Sequence, residues 1–229
     1  MNRSLIYIAI LLLALAVGFG ISKYSGKAPP NTATPASGQG QAANVSSKTI
    51  EEKAATYSID VKYPEFGVAP IDVQIASEAH SIVSQFKSDS ESEGLPQGAP
   101  AYELNLTYDH TYIGTDFVST RLYVTGYMGG AHPNTTIEGL NYDRITGKKL
   151  TLDDALKLIG LTLADVVTST KQQLTAKLGA DMFFSEGADA KPDNYGAFSI
   201  DADSVTFIFQ PYQFAAYASG PQEVSFKRK

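Results

Sequence analysis

The residues of this chain best suited to metal binding or proton transfer are three histidines, because the 229-residue sequence contains no cysteine. His80, His110 and His132 lie far apart in sequence, whereas a zinc site needs at least three protein ligands around one ion. Only the fold could bring these side chains to one ion. We therefore predict no metal site and no bound cofactor.

Other catalytic patterns are also missing from the sequence, which has no G-x-S-x-G nucleophile elbow and no glycine-rich phosphate loop. The segment TLDDAL at 151–156 superficially resembles the Thr-Phe-Asp-Asp-Gly-Pro motif of polysaccharide deacetylases, but it lacks the Gly-Pro. Thr151 and Asp154 have the spacing of a helix-capping box instead. We predict that the chain is not an enzyme and has no catalytic residues. The alternative is a hydrolase whose site the fold assembles from scattered carboxylates or His132.

The loop GYMGGAHPNTT, residues 126–136, interrupts a strand pattern. Three interpretations fit it: a structural turn, a recognition loop, and a catalytic or metal-binding loop. Gly129 and Gly130 can adopt a positive φ, and Pro133 restricts His132 to an extended backbone. A ring nitrogen of His132 could then donate to a nearby carbonyl and fix the loop.

Residues 5–21 form a run of 17 residues without a charge, and Arg3 precedes it. We expect residues 1–22 to be a signal anchor, a single-pass helix of the cell membrane with the following domain outside the cytoplasm. A cleaved signal peptide and a buried helix are the alternatives. Residues 23–47 are rich in Ala, Pro, Ser and Gly, so we predict a disordered linker over 23–56.

Hydrophobic periodicity predicts an α+β fold in which helices pack on an antiparallel sheet. We divide the folded region into an N-terminal part at 57–128 and a C-terminal domain at 129–229. The predicted elements are a strand from Tyr57, a helix over 71–88, a hairpin turning at 114–116, a hairpin turning at 146–148, helices after Thr151 and Thr162, and a hairpin turning at 201–203. The side chains expected in the core are Ile82, Phe86, Leu163, Val167, Leu174 and Phe207.

The charge of the chain is unevenly distributed. Residues 1–56 hold five basic and two acidic side chains, so the remainder holds 13 basic and 22 acidic and carries a net charge of −9. Nucleic-acid binding needs a basic surface, so we expect no nucleic-acid partner. An acidic domain favours a cationic protein partner; the alternative is that the acidity only keeps the domain soluble.

Three stretches of the sequence together resemble the extracytoplasmic region of RsiV-type anti-sigma factors, which also occurs ahead of the catalytic domain in PdaC-type peptidoglycan deacetylases. They are Gly129–Pro133, then Asp143 with 146–148 and Leu150, and finally Tyr212, Tyr217 and Gly220. The likeness covers about residues 57–228. It implies an α+β, non-catalytic module of the bacterial envelope, which in RsiV-type members binds lysozyme.

We therefore predict a membrane-anchored, extracytoplasmic binding module that recognises lysozyme or another cationic protein, or peptidoglycan. The N-terminal helix supplies the contact with the membrane. The alternative function is an envelope hydrolase acting on peptidoglycan or another glycan. The residues expected to contribute to the binding surface are Ala131, His132, Pro133, Asn134, Thr135, Tyr212 and Tyr217.

Overall fold

The computed structural model of the protein describes residues 45–179 and 184–229 and has a mixed α+β fold. The predicted α+β class is confirmed, and the predicted membrane helix at 1–22 lies outside the described residues. The strands are β1 (Ser46–Lys53), β2 (Tyr57–Glu65), β3 (Tyr102–Ile113), β4 (Phe117–Tyr127), β5 (Asn134–Asp143), β6 (Phe198–Ile200), β7 (Ser204–Phe209) and β8 (Gln222–Lys227). The α-helices of the described residues are α1 (Ala69–Glu93), α2 (Leu152–Ile159) and α3 (Leu163–Leu178), and none of these three is long and apolar enough to span a membrane.

The strands form two sheets, a five-stranded sheet in the order β1-β2-β3-β4-β5 and a three-stranded sheet in the order β6-β7-β8. The antiparallel prediction is wrong for one pair, because β2 and β3 run parallel. Parallel neighbours need a crossover connection, and the 25-residue helix α1 provides it between them. The other pairs among the eight described strands are antiparallel.

Strand β1 lies inside the range predicted to be a disordered linker, so that prediction is wrong for residues 46–53. All eight residues of β1 pair with β2, and Ile50 packs against the hydrophobic core. The segment has only one large apolar side chain, and its other residues are mostly exposed. It therefore lacks the alternation by which a strand is recognised in a sequence.

The predicted hairpin at 146–148 is wrong in its second half. After β5 the chain turns because the Asp143 carboxylate accepts from the amides of Ile145 and Thr146. The next segment makes only an isolated bridge between Tyr142 and Lys149 and then enters α2. The other predicted hairpins are present, joining β3 to β4 and β6 to β7.

Residues at the helix N-termini explain where the three helices begin. Pro70 occupies the first turn of α1, where its missing N–H costs nothing, and the helix extends beyond the predicted range of 71–88. Both predicted capping boxes are confirmed. In α2 the Thr151 side chain accepts from the amide of Asp154, while Asp154 accepts from the backbone of Thr151, and Thr162 and Asp165 repeat this arrangement in α3.

Two hydrophobic clusters fill the molecule, one between α1 and the five-stranded sheet and one around the three-stranded sheet with α2 and α3. Of the predicted core residues, Phe86, Leu174 and Phe207 are buried. Ile82, Leu163 and Val167 pack against the clusters but are only partly buried, because they lie at the margins of the apolar helix faces.

A polar seam joins the two sheets, and it consists of the side chains of His110, Ser119 and Asn141 with the backbone of Phe198 and Ile200. Asn141 donates to the Phe198 carbonyl at 2.7 Å, the Ile200 amide donates to Ser119 Oγ at 2.9 Å, and His110 Nε2 donates to the Ile200 carbonyl at 3.1 Å. These groups occupy the edge of β6 that faces away from β7. Side chains of the first sheet thus supply hydrogen-bond partners to a strand edge that β7 leaves open.

Strand β5 belongs to the five-stranded sheet, so the boundary predicted between residues 128 and 129 falls inside that sheet. The two sheets are in close contact at Gly139, where an added Cβ would lie 1.9 Å from the Phe198 carbonyl oxygen.

Candidate binding site

An aromatic cluster of His132, Tyr212 and Tyr217 lies on the surface where the β4–β5 loop meets the chain between β7 and β8. The His132 ring stacks on Tyr217 with 4.6 Å between ring centroids and an interplanar angle of 30°. The Tyr212 ring centroid lies 6.3 Å from that of His132 and 5.3 Å from that of Tyr217. The fold therefore unites residues from two segments about 80 positions apart.

Both ring nitrogens of His132 are engaged. Nδ1 lies 2.7 Å from the Pro133 carbonyl oxygen, and Nε2 lies 3.2 Å from the Tyr212 hydroxyl. A carbonyl oxygen can only accept, so Nδ1 carries the proton in the neutral ring. Nε2 then accepts from the Tyr212 hydroxyl. The predicted role of His132 as a donor to a nearby carbonyl is confirmed, and Tyr212 completes its contacts.

Tyr212 has an unusual backbone, with φ at 67°. A non-glycine residue rarely adopts this left-handed conformation, which costs about 1–2 kcal/mol. Its side chain is nevertheless 50% exposed, so burial of the ring does not compensate for the strain. Strain of this kind concentrates at functional sites, where surrounding contacts hold the residue in place.

Two glutamines hold the segment that carries Tyr212. The Gln210 side chain accepts from the Ile137 amide and donates to the Ile137 carbonyl, both at 2.8 Å. These are the two hydrogen bonds that the backbone of a neighbouring strand would make with Ile137. The Gln213 side chain accepts from the Gln210 amide at 2.8 Å and donates to the Gly187 carbonyl at 2.9 Å. Sequence reasoning missed both glutamines, since nothing in their spacing distinguishes them from surface residues.

The remaining predicted binding residues lie beside the aromatic cluster. Ala131, Pro133 and Asn134 are exposed, while the Thr135 hydroxyl lies 2.9 Å from that of Thr125 across the strand pair. The preceding Gly129 and Gly130 have φ values of 92° and 100°, which confirms the predicted use of glycine to turn the chain there.

The three histidines occupy separate elements. His80 is exposed on α1, His110 belongs to the polar seam, and His132 belongs to the aromatic cluster. His110 has a φ of 49° beside the irregularity in the β3–β4 register, and its Nε2 lies 3.8 Å from an Asp201 carboxylate oxygen. Within residues 45–179 and 184–229, no group of three or more metal-ligating side chains comes together.

A charged cluster centred on Arg121 also links the two sheets. Arg121 donates to both carboxylate oxygens of Asp109, at 2.8 and 3.1 Å, and to Glu223 on β8 at 2.6 Å. Burial opposes the charge of Arg121, but the two carboxylates outweigh it and raise its pKa. Partial burial raises the pKa of Tyr123, which donates to Asp109, to about 12. This cluster is an ion network that joins the two sheets through three hydrogen bonds of Arg121, and it was not predicted.

Comparisons with known proteins match the two halves of the chain separately. A family model described as "Deacetylase PdaC" matches residues 50–135, and one described as "Protein of unknown function (DUF3298)" matches residues 153–229. The predicted resemblance to PdaC-type proteins is confirmed to that extent, whereas the likeness to RsiV-type anti-sigma factors stays a prediction.

Individual relatives are distant. The chain is 28% identical over 193 residues to the peptidoglycan-N-acetylmuramic acid deacetylase PdaC of Bacillus subtilis, covering 82% of this chain but 41% of that protein. It is 26% identical over 215 residues to an esterase of Mycobacterium tuberculosis, covering 90% of this chain and 88% of that protein. The match to a solved DUF3298 family structure from Pseudomonas aeruginosa covers 81% of this chain and 94% of that protein's chain, with a TM-score of 0.55 and 13% identity. That likeness is one of fold.

Proposed function

We propose that this protein is a non-catalytic module of the bacterial envelope that binds the glycan of peptidoglycan through the aromatic cluster. The observation that carries the proposal is Tyr212, whose exposed ring is held in a strained backbone conformation by His132, Gln210 and Gln213. A surface ring that is fixed before binding loses little entropy when a ligand arrives. The match to a PdaC model and the peptidoglycan substrate in the name of one relative support the choice of ligand.

The chemistry of the cluster suits sugar recognition. Tyrosine and histidine rings offer flat apolar faces on which the C–H face of a pyranose can stack, and tyrosine adds a hydroxyl for hydrogen bonding. Tyrosine is also common among the residues that dominate binding energy. The adjacent exposed Asn134 supplies an amide that can pair with a sugar hydroxyl or acetamido group.

The same geometry favours recognition over catalysis at this site. His132 has both ring nitrogens occupied, so it would have to break a hydrogen bond before accepting a proton from a substrate or water. The neighbouring hydroxyl is a phenol held by that histidine. An envelope hydrolase remains the alternative class, because two relatives are named a deacetylase and an esterase.

Calorimetric titration with purified di- and tetrasaccharide fragments of peptidoglycan tests the proposal. We expect saturable binding by the wild type and at least a roughly tenfold weaker affinity for Tyr217→Ala, which corresponds to about 1.4 kcal/mol. Ile145→Ala, which alters a side chain that is 82% exposed on another loop, is the control. Binding that is unaffected by Tyr217→Ala would remove the aromatic cluster as the site.

The hydrolase alternative is tested in the same samples by following acetate release and ester hydrolysis over time. Turnover by the wild type that is lost in His132→Ala, with melting unchanged, would replace the binding proposal. Binding without turnover supports it.

A cationic protein such as lysozyme is the second candidate ligand, favoured by the net charge of −9 over residues 57–229. Its affinity should fall as salt rises from about 50 to 300 mM, because the Debye length shortens from roughly 14 to 6 Å. Calorimetry with lysozyme at both salt concentrations separates the two ligands.

Membrane anchoring through residues 1–22, with the folded domain outside the cytoplasm, belongs to the same proposal. Protease added to spheroplasts should digest the domain. Protection of the domain in intact spheroplasts would contradict this topology.

A further inference from the structure

The strand β1 is an edge with an unusual charge pattern. It lies at one end of the five-stranded sheet and uses one side for β2. In the described part of the chain no strand pairs with its other side. Proline, β-bulges and charged side chains are devices by which proteins commonly protect such edges. Over its eight residues β1 has no proline and no register irregularity, and its protection is limited to charged side chains of both signs.

We propose that β1 pairs antiparallel with β1 of a second copy of this chain, about a two-fold axis through Ile50. The pairing would join two five-stranded sheets into one continuous sheet. This inference depends on β1 alone and is independent of glycan binding at the aromatic cluster.

Strand geometry restricts the registers that such a pair can adopt. In an antiparallel pair, the backbone groups of directly opposite residues both point towards each other or both point away. When two identical strands pair through the same edge, even-numbered residues must therefore lie opposite even-numbered ones and odd-numbered residues opposite odd-numbered ones. The two-fold axis then passes between the two copies of a single residue. The candidate centres near the middle of β1 are Thr49, Ile50 and Glu51.

Charge selects among these centres. With the axis at Ile50, Lys48 lies opposite Glu52 twice and the two Ile50 side chains meet. With the axis at Glu51, the two Glu51 carboxylates oppose each other, which is destabilising. With the axis at Thr49, Lys48 faces Ile50 and gains no ion pair. Only the centre at Ile50 is complementary in both charge and apolar contact.

Existing ion pairs extend this complementarity. Lys48 Nζ lies 3.4 Å from Glu65, and Lys87 pairs with Glu52. Lys48, Ile50 and Glu52 share one face of the strand because side chains alternate. Across the axis, the order Glu65, Lys48, partner Glu52 and partner Lys87 alternates in sign. Such a network contributes more than isolated surface pairs do.

The absence of cysteine from the chain allows a direct test by single-cysteine cross-linking. In the proposed register the Cα atoms of two Ile50→Cys residues lie about 4.5–5.5 Å apart, which suits a disulfide. The matched control on the same strand is Glu51→Cys, whose two copies would lie roughly 8 Å apart and beyond disulfide reach. Ile145→Cys, on an exposed loop, reports random collisions.

The experiment uses the full chain in mild detergent and, in parallel, the fragment from Ser37, which contains every described strand and helix in one compact unit. Under mild oxidation we expect Ile50→Cys to form covalent dimers at least about tenfold faster than either control. Equal rates for the three variants would overturn the proposal.

Sedimentation equilibrium without cysteine variants provides the second measurement. We expect a dimer whose dissociation constant rises about tenfold in Lys48→Glu, which places like charges opposite each other. Lys53→Glu, opposite Ser47 in this register, should change it little. A wild-type fragment that remains folded and monomeric at millimolar concentration would also overturn the proposal.

Discussion

Asn141, on the five-stranded sheet, donates its side-chain amide to the backbone carbonyl of Phe198, on the three-stranded sheet, over 2.7 Å. The Asn141 side chain is buried, and its oxygen accepts from the Ser119 hydroxyl, also at 2.7 Å. Buried polar groups are costly when they lose a partner. The contact therefore makes the union of the two sheets specific as well as stable.

Asn141→Ala removes the partner of both the Phe198 carbonyl and the Ser119 hydroxyl. We expect the free energy of unfolding to fall by about 2–4 kcal/mol, because the buried Phe198 carbonyl loses its donor and the buried Ser119 hydroxyl loses its acceptor. Urea denaturation measures the change. The control Asn105→Ala, on the exposed face of β3, should stay within about 0.5 kcal/mol of the wild type, and equal losses in the two variants would remove the seam as a stabilising feature.

Gly139→Ala should be among the most damaging small substitutions in the protein. The added methyl carbon would lie 1.9 Å from the Phe198 oxygen, so the two sheets would have to move apart at this contact. We expect a loss of about 3 kcal/mol or more. Gly126→Ala, where a Cβ would meet nothing within 4 Å, is the matched control on the neighbouring strand, and thermal melting compares the two.

The backbone strain at Tyr212 predicts that a glycine at this position gives a more stable protein than an alanine does. Tyr212→Gly relieves the cost of a φ of 67°, whereas Tyr212→Ala keeps a Cβ in that conformation. Glycine is therefore expected to be the more stable variant by about 1 kcal/mol, although glycine elsewhere usually destabilises. Chemical denaturation of the pair decides this, and a more stable alanine variant would show that the φ is not maintained.

The capping box of α2 predicts a dependence on pH. Hydrogen bonds from the backbone and side chain of Thr151 lower the pKa of Asp154. A carboxyl with a lowered pKa in the folded state stabilises the protein above its unfolded pKa, near 4, and loses that contribution as the pH falls through the folded value. Asp154→Asn should therefore lower the melting temperature at pH 7, and the difference from wild type should shrink by about pH 2.5. Asp153→Asn, outside the box, is the control.

The helix α1 offers a test of the first hydrophobic cluster. Phe86 is 7% exposed and packs edge-on against Tyr57, so Phe86→Ala should cost about 3–5 kcal/mol. Val73 on the same helix is 69% exposed, and Val73→Ala should cost less than about 0.5 kcal/mol. A loss below about 1 kcal/mol for Phe86→Ala on chemical denaturation would mean that the cavity closes by repacking.

Local features of the fold were accessible from the sequence where a short-range signal existed. The capping boxes at Thr151 and Thr162 and the turn after Ile113 depend on neighbouring residues, so spacing alone predicts them. The parallel pairing of β2 with β3 depends on the direction in which the chain re-enters the sheet after α1. Strand β1 depends on its hydrogen bonds to the edge of β2. Such non-local causes leave no periodic trace in the segment concerned.

The candidate binding site was also predictable from the sequence only in part. His132 and Pro133 stand out because their residue types constrain a loop, and the resemblance supplied Tyr212 and Tyr217. The sequence could not show that these segments meet, since their contact depends on the packing of two sheets. The positive φ of Tyr212 and the hydrogen bonds of Gln210 to Ile137 are properties of the folded chain.

The polar seam sets the smallest piece of this protein that can be grafted onto another chain. The two family matches, at 50–135 and 153–229, suggest two cassettes that could be cut apart and reused. The edge of β6, however, takes its hydrogen bonds from His110, Ser119 and Asn141, all before residue 143. A cassette beginning at residue 153 would carry a bare strand edge and should aggregate. Fusion designs should therefore transplant residues 46–229 whole.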